Sequence, residues 1–468
     1  MSQCNPGLHA RQLAIYRQRV LDTPALLDSE VLAPERVAEG LAEAHLTWRQ
    51  RQFPPHVTLW TFLWQVLSAN GSCREAVTRV RALRVAQGQV PPSPNTGSYC
   101  KARLRLPEAV VAWLAKAAGQ RLSHQAPAEW RWKGRIVKVV DGTTVSMPDT
   151  PANQAAYPQQ RQQQPGVGFP IARLLGVFGL ASGSLLHLTS GRYQGKETGE
   201  PALFRQVIPT LAPGEVVLGD RCYSSYFMLA ELQARGVAYV GRQHQRRPTD
   251  LRRGTRLGRE DHLVCWPKPV RPAWLDAASS AQMPAQLRVR ELRVRVPCKG
   301  FRTTVLLVVT TLLTPKAYAK DDLAELYRVR WHAELDLRIL KTVLGMDVLR
   351  SKTPEMVRKE LWMYMVVYNL IRTVMAQAAA RAGLLPRTLS FTGALQAVNL
   401  VGLALLCAAA KAREPLLASL YSAIVTYRVG QRPNRVEPRA VKRRPKPHAL
   451  LMVPRNVARR QLLRGRAA

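Results

Sequence analysis

Two aspartates in this sequence close short apolar runs. Asp141 follows GRIVKVV and precedes Gly142, and Asp220 follows EVVLG. An acid at the end of a buried strand can project its carboxylate from the edge of a sheet, which is where ligands bind in folds built that way. A third acid, Glu334, lies in DDLAELYRVRWHAELDLRILKTVLG, where Tyr327, Arg330, Glu334 and Lys341 fall at offsets of 0, 3, 7 and 14. In a continuous α-helix those offsets keep all four residues on one stripe. Taken singly, each aspartate also reads as a turn residue and the stripe as a salt-bridged surface. Taken together they have a chemistry: three oxygen donors suit Mg²⁺, and two divalent ions about 4 Å apart can activate a nucleophile and stabilise a leaving oxygen. Arg330 and Lys341 add a planar fork and a point charge for phosphate.

The surrounding pattern predicts how these residues are carried. From about residue 133 the sequence reads as strands: GRIVKVVDG ends at Asp141 and Gly142, LLGVFGL and LLHL form a hairpin around ASGS, and EVVLGD ends at Asp220. SYFMLAELQARG then reads as a helix and VAYVG as a strand, the grammar of an α/β or α+β core. Residues 243 to about 318 begin with a basic run and continue as an added antiparallel sheet. There Arg288, Arg290, Arg293 and Arg295 interleave with Leu and Val and are expected to reach solvent or nucleic acid while the other face packs. Residues 321 to about 349 read as one helix and 354 to about 382 as another, started by Thr353 and Pro354. Before the core, VTLWTFLWQVL and CREAVTRVRALR are two helices joined at Gly71, with capping-box spacing from Ser72 to Glu75. The pair reads either as a helix-turn-helix, with Arg74, Arg79, Arg81 and Arg84 meeting DNA, or as plain packing. The tail from Arg432 to Arg466 holds twelve Arg or Lys and one acid and, with its prolines, is expected to be extended.

Composition sets the partner class. Lys and Arg number 69 against 31 Asp and Glu, a formal charge of +38. Self-repulsion on that scale implies a polyanionic partner, with nucleic acid ahead of a membrane surface. The longest apolar runs are shorter than the roughly 18 residues of a spanning helix, so no membrane is expected. The N-terminal residues lack a signal-type apolar stretch and point to the cytoplasm. Seven scattered cysteines form no CxxC pair, which argues against a zinc site or a disulfide framework.

The motifs VVDGTTV with Asp141, LGDRCYSS with Asp220, and YRVRWHAELDLRILK with Tyr327, Arg330, Glu334 and Lys341 resemble the DDE transposases of bacterial insertion sequences. Within insertion-sequence family four, they resemble the subgroup marked by a Y-(2)-R-(3)-E-(6)-K signature. The resemblance runs through most of the chain, from SYCKARLRLP to PRAVKRRPKPHALLMVPR; Cys222 departs from it, since that family more often has glycine there. It implies an RNase H-like catalytic core, in residues 133–242 and 319–385, interrupted by a β-rich insertion over 243–318. A helical DNA-end-binding domain over 1–125 precedes the core, and a helical C-terminal region with a basic tail over 386–468 follows it.

The implied activity is cut-and-paste transposition: metal-dependent cleavage at element ends, hairpin formation and opening, and transfer of 3′-hydroxyl ends into target DNA. Asp141, Asp220 and Glu334 would be catalytic and metal-binding, holding two Mg²⁺ ions with Mn²⁺ as a substitute, while Tyr327, Arg330 and Lys341 would contact DNA. The implied partners are double-stranded DNA with terminal inverted repeats, target DNA and a second copy of the chain, in a bacterial, nucleoid-associated setting. Two alternatives remain open: a metal nuclease of the same core without strand transfer, and a non-catalytic DNA-binding derivative. GRYQGKET lacks the spacing of a phosphate-binding loop, and His187 and His332 lack partners at zinc-ligand spacing.

Overall fold

The computed structural model describes residues 34–43, 52–68, 70–295, 305–430 and 449–464. Five helices come first: α1 (Pro34–Glu43), α2 (Pro55–Leu67), α3 (Cys73–Ala86), α4 (Gly97–Arg105) and α5 (Glu108–His124). The core then runs β1 (Val137–Ser146), α6 (Pro151–Ala156), β2 (Ile171–Gly179), β3 (Leu185–Arg192), α7 (Glu200–Val207), β4 (Val216–Gly219), α8 (Tyr226–Ala234) and β5 (Ala238–Arg242). An extension follows as β6 (Thr255–Gly258), β7 (Asp261–Pro267), α9 (Ala277–Gln282), β8 (Gln286–Arg295) and β9 (Val305–Thr310). The helices α10 (Lys320–Arg328), α11 (Trp331–Arg338), α12 (Pro354–Ala382), α13 (Phe391–Cys407), α14 (Ala410–Thr426) and α15 (Arg455–Leu463) complete the described chain.

The strands form one sheet in the order β3-β2-β1-β4-β5-β9-β8-β7-β6. β1, β4 and β5 are mutually parallel, and every other pairing is antiparallel. Parallel central strands must be covered on both faces, and the side-chain period of two distributes their residues accordingly. Val137, Val139, Val216, Leu218 and Val240 join one apolar cluster with α5, α10, α11 and α12. Val140, Val217 and Tyr239 join another with α7 and α8. The result is a mixed α/β core between helical N- and C-terminal regions, consistent with an RNase H-like arrangement. α12 supplies the longest covering element; Thr353 caps it, accepting from Met356 N, and Gly383 ends it in the left-handed region.

Four expectations change on contact with this structure. β1 does not stop at Asp141 but continues to Ser146, because β2 pairs along its whole length, Asp141 opposite Gly176. The added strands are not a separate sheet; β9 pairs with β5 and extends the core sheet. Arg290 does not reach solvent: it is 1% exposed and donates to both carboxylate oxygens of Asp261. Parity does not separate the arginines, since Arg288 shares the face of Arg290 and is exposed; Arg290 is enclosed because Asp261 of β7 supplies its counter-charge and Tyr318 O accepts from its Nη1 at 2.7 Å. Within the basic tail, Arg455–Leu463 is helical rather than extended, with Pro454 immediately before its first turn, where proline costs the helix nothing. Residues 431–448 of the tail lie outside the described residues, as do Cys4 and Cys298.

In the N-terminal helices, three of the four arginines read as possible DNA contacts are tied within the protein. Arg79 pairs with Glu75 at 2.8 Å and lies over the Trp64 ring. Arg81 donates to Pro92 O, and Arg84 donates to Gln52 O at 2.9 Å. Ser72 does cap α3, accepting from Arg74 N, while Glu75 serves Arg79 instead of closing the box.

Candidate active site

The parallel pairing of β1 and β4 brings the two aspartates together. It runs Val137 with Val216, Lys138 with Val217 and Val139 with Leu218, and Asp141 and Asp220 each lie two residues beyond its last pair. Both acids therefore share the parity of Val139 and Leu218 and belong to the face covered by α10 and α11. Asp141 Oδ1 accepts from Gly142 N at 2.9 Å. Asp220 is fixed through its backbone, its carbonyl accepting from Tyr239 Oη at 3.1 Å.

Glu334 comes from a helix that is not continuous. α10 ends at Arg328 and α11 begins at Trp331, with Arg330 at the joint, and a π-helical turn follows over Ile339–Val343. Arg330 Nη2 donates to Glu334 Oε1 at 2.6 Å, and its Nη1 stands 3.8 Å from Asp141 Oδ2. Tyr327 Oη, from the last turn of α10, reaches Asp220 Oδ1 at 3.4 Å. Arg330 thus joins Asp141 and Glu334, and Tyr327 contacts Asp220. Lys341 is not among them: it pairs with Asp347 at 2.9 Å. The joint at Arg330 and the wider π turn break the 3.6-residue phase that would have kept Lys341 in line.

Burial pushes the Asp141 carboxyl up to about 6; the Gly142 N–H and Arg330 oppose the rise, and Glu200 and Glu334 add to it. Tyr327 is likewise pushed up to about 12 by burial, so it stands as a neutral hydroxyl beside Asp220. For Arg330 burial disfavours the charge, yet Tyr327, Glu334 and Asp220 outweigh it and hold the guanidinium firmly protonated. Arg330 thus bridges Asp141 and Glu334, and Tyr327 stands at Asp220.

A family profile described as a transposase DDE domain matches residues 132–370, just over half of the chain. The chain belongs to the DDE transposase domain family. Over 442 residues it is 27% identical to the transposase InsG for insertion sequence element IS4 of Escherichia coli K12, covering 92% of this chain and 95% of InsG. A shorter match, 33% identical over 64 residues, joins it to the transposase for insertion sequence element IS421 of Escherichia coli, 14% of this chain and 17% of that one. A cryo-EM piggyBac transposase synaptic complex with hairpin DNA aligns at TM-score 0.43 and 10% identity over 85% of this chain and 84% of that one.

Membership of the DDE transposase family implies use of a divalent metal ion. Among the described residues, no three His, Cys, Asp or Glu side chains are gathered closely enough to hold one unaided. The donor set still fits: all three acids offer carboxylate oxygens, the type a hard divalent cation takes. Burial raises the Asp141 carboxyl, and among the described residues Arg330 contacts both Asp141 and Glu334. Among the described residues, no helix is long and apolar enough to cross a membrane.

Sequence reasoning missed two features of this region. Glu200, at the start of α7, accepts from Tyr223 Oη at 3.0 Å and lies against Gly142. Its only signal was an acid directly before Pro201 at a helix start. Asp336, two residues after Glu334, is fully buried and pairs with Arg372 at 2.5 Å and Arg387 at 3.0 Å. An acid in an apolar phase of α11 was the available signal for it.

Proposed function

We propose that this DDE transposase is a cut-and-paste enzyme of the insertion-sequence family four type, in the subgroup with the Y-(2)-R-(3)-E-(6)-K signature. The observation that carries the reading is the convergence of Asp141, Asp220 and Glu334 on Arg330 and Tyr327 inside the matched residues 132–370. Likeness to InsG along nearly the whole of both chains supports extending it beyond the core. In this reading residues 1–125 bind DNA ends, 133–242 and 319–385 form the catalytic core around the 243–318 insertion, and 386–468 supply the basic C-terminal region.

Asp141, Asp220 and Glu334 would hold two Mg²⁺ ions, or Mn²⁺ in their place. When bound, such ions supply Lewis acidity at the phosphate and strengthen an oxygen nucleophile. The chain's own groups do the rest. Arg330, which contacts both Asp141 and Glu334 in the free protein, would turn its fork to the scissile phosphate when those carboxylates hold their ions. Tyr327 keeps Asp220 oriented through its neutral hydroxyl. Lys341 leaves Asp347, which is largely exposed, for a DNA phosphate. Water attacks the phosphodiester at the strand end and displaces a 3′-hydroxyl. That hydroxyl attacks the opposite-strand phosphodiester, displacing the 3′-hydroxyl of the flanking DNA and closing a hairpin. A second water opens the hairpin by displacing the element's 3′-hydroxyl, which attacks a target phosphodiester and displaces a target 3′-hydroxyl. The substrates are double-stranded ends with inverted repeats and target DNA, held by a homodimer.

The test is cleavage and joining on labelled DNA ends flanking the gene, with Mg²⁺ or Mn²⁺, for the parent and Glu334→Gln. Metal-dependent 3′-hydroxyl release and joined product, both lost in the variant while DNA binding persists, are expected. Cleavage without joining would instead identify a nuclease, and binding without any product a non-catalytic binder.

A further inference from the structure

Glu200 has a position that the reaction as described does not use. It opens α7, which packs on the sheet face opposite Asp141 and Asp220, with Leu203, Phe204 and Val207 of that helix in the second apolar cluster. Residue 142 of β1 points to the same face by parity, and it is glycine. A Cβ there would lie 2.2 Å from Glu200 Cδ and 2.5 Å from Oε1, so the carboxylate occupies the space that any side chain at 142 would fill. From that cradle Glu200 Oε2 accepts from Tyr223 Oη at 3.0 Å, and the Cys222 thiol lies 3.9 Å away. Arg173 of β2 stands 3.8 Å from Oε1. Tyr223 is fully buried and packs edge-on against Phe204, one turn along the same helix. It belongs to the turn Arg221–Tyr223 directly after Asp220. A single carboxylate therefore touches the segment just after the first acid, the segment just after the second, and the strand between β1 and β3.

We propose that Glu200 is a positioning residue of the active site, clamping the Gly142 segment of β1 to the Asp220–Tyr223 turn from the far face of the sheet and so fixing the spacing of Asp141 and Asp220. The β1–β4 ladder ends at Val139 and Leu218, before either aspartate, so beyond it the two chains have no backbone pairing of their own to set that spacing. The Glu200–Tyr223 bond supplies the missing tie. As the first residue of α7, Glu200 is also held in place by the positive end of the helix.

This inference rests on the transposase reading for its consequence, but its structural half can be measured apart from it. Hydrogen exchange is followed across residues 220–224 in the full-length protein and in Glu200→Ala, Glu200→Gln and Tyr223→Phe. Glutamine still offers Tyr223 an acceptor oxygen, whereas alanine and the phenylalanine variant each delete the bond. Exchange in Glu200→Ala and Tyr223→Phe should rise by roughly 10- to 100-fold, the equivalent of one hydrogen bond to a charged acceptor, while Glu200→Gln, whose neutral oxygen keeps a weaker bond, rises by less than either. The double variant should add little to either single one. In the cleavage assay, kcat should fall on the order of 10- to 100-fold in the same two variants, with KM for DNA ends unchanged and Glu200→Gln rescued. Unchanged exchange in Glu200→Ala overturns the proposal whatever the activity. So does a Glu200→Gln as impaired as Glu200→Ala beside a normal Tyr223→Phe, which would assign the effect to charge. If exchange responds as expected but the parent cleaves no DNA, the clamp stands and the transposase reading falls.

Discussion

Replacing Asp336 with asparagine should destabilise the protein far more than its single-atom change suggests. Asp336 is fully buried on α11, and its two oxygens are divided between Arg372 at 2.5 Å and Arg387 at 3.0 Å. Arg372 is itself buried and donates through Nε to Tyr368 Oη at 3.0 Å, while Arg387 also donates to the Leu180 and Gly179 carbonyls at the β2–β3 turn. The carboxylate is thus the counter-charge for two cations from separate elements and the anchor between α11, α12 and the hairpin. Asparagine keeps one acceptor oxygen, turns an amide N–H₂ toward a guanidinium, and removes the charge. Breaking a buried ion pair from one side costs about 3–5 kcal/mol, a large share of the roughly 5–15 kcal/mol that holds a domain folded. Urea unfolding followed by tryptophan fluorescence measures the loss, and Asp336→Asn combined with Arg387→Met should fall short of the sum of the single effects by more than about 1 kcal/mol. A loss below about 1 kcal/mol for Asp336→Asn, or strict additivity in the double variant, would refute the claim that this triad anchors the helix bearing Glu334.

Two further outcomes are expected. The ring of His187 is held at about 4 by burial, then by Lys138 and Lys116, and its Nε2 faces Thr210 Oγ1, whose own proton goes to Val207 O, so Nε2 donates and the ring is neutral. The unfolded chain binds that proton near pH 6.5, so stability is complete above that value and falls as the pH drops toward 4. His187→Gln should remove about 2–3 kcal/mol of this acid sensitivity in pH-dependent urea midpoints, and an unchanged slope would contradict it. Gly142→Ala drives a Cβ into the Glu200 carboxyl; because that group ends a flexible side chain, stability should fall by only about 1 kcal/mol, while cleavage falls at least about tenfold.

Much of the core was legible because its strands are apolar on both faces and its punctuation is simple. Val216–Gly219 ahead of Asp220, the Ile171–Arg192 hairpin and the helix from Pro354 all follow from local signals. The three acids were legible as residue types at strand and helix positions, but their mutual geometry depends on the β1–β4 register, which no local pattern specifies. The break at Arg330 was hidden because Tyr327, Arg330 and Glu334 fit a continuous helix, and only tertiary contact with Asp141 and Asp220 shows why the joint matters. Arg290 was misread because its counter-charge, Asp261, lies on β7, 29 residues away, and nothing along β8 itself shows the pairing. Glu200 was unreadable for a different reason: its partners Gly142, Arg173 and Tyr223 are scattered in sequence and meet only when β1, β2 and the turn after β4 are adjacent.

The most direct test of the central claim is metal rescue at Asp141. Asp141→Cys replaces a hard oxygen donor with a thiolate that prefers softer ions. DNA-end cleavage by this variant is compared in Mg²⁺ and Mn²⁺, alongside Asp141→Ala and the parent. If Asp141 holds the metal, Asp141→Cys is inactive in Mg²⁺ and regains cleavage in Mn²⁺, Asp141→Ala is inactive in both, and all three bind DNA ends alike. Cleavage by Asp141→Ala in Mg²⁺ at the parent's rate would contradict the assignment of Asp141, and with it the carboxylate triad.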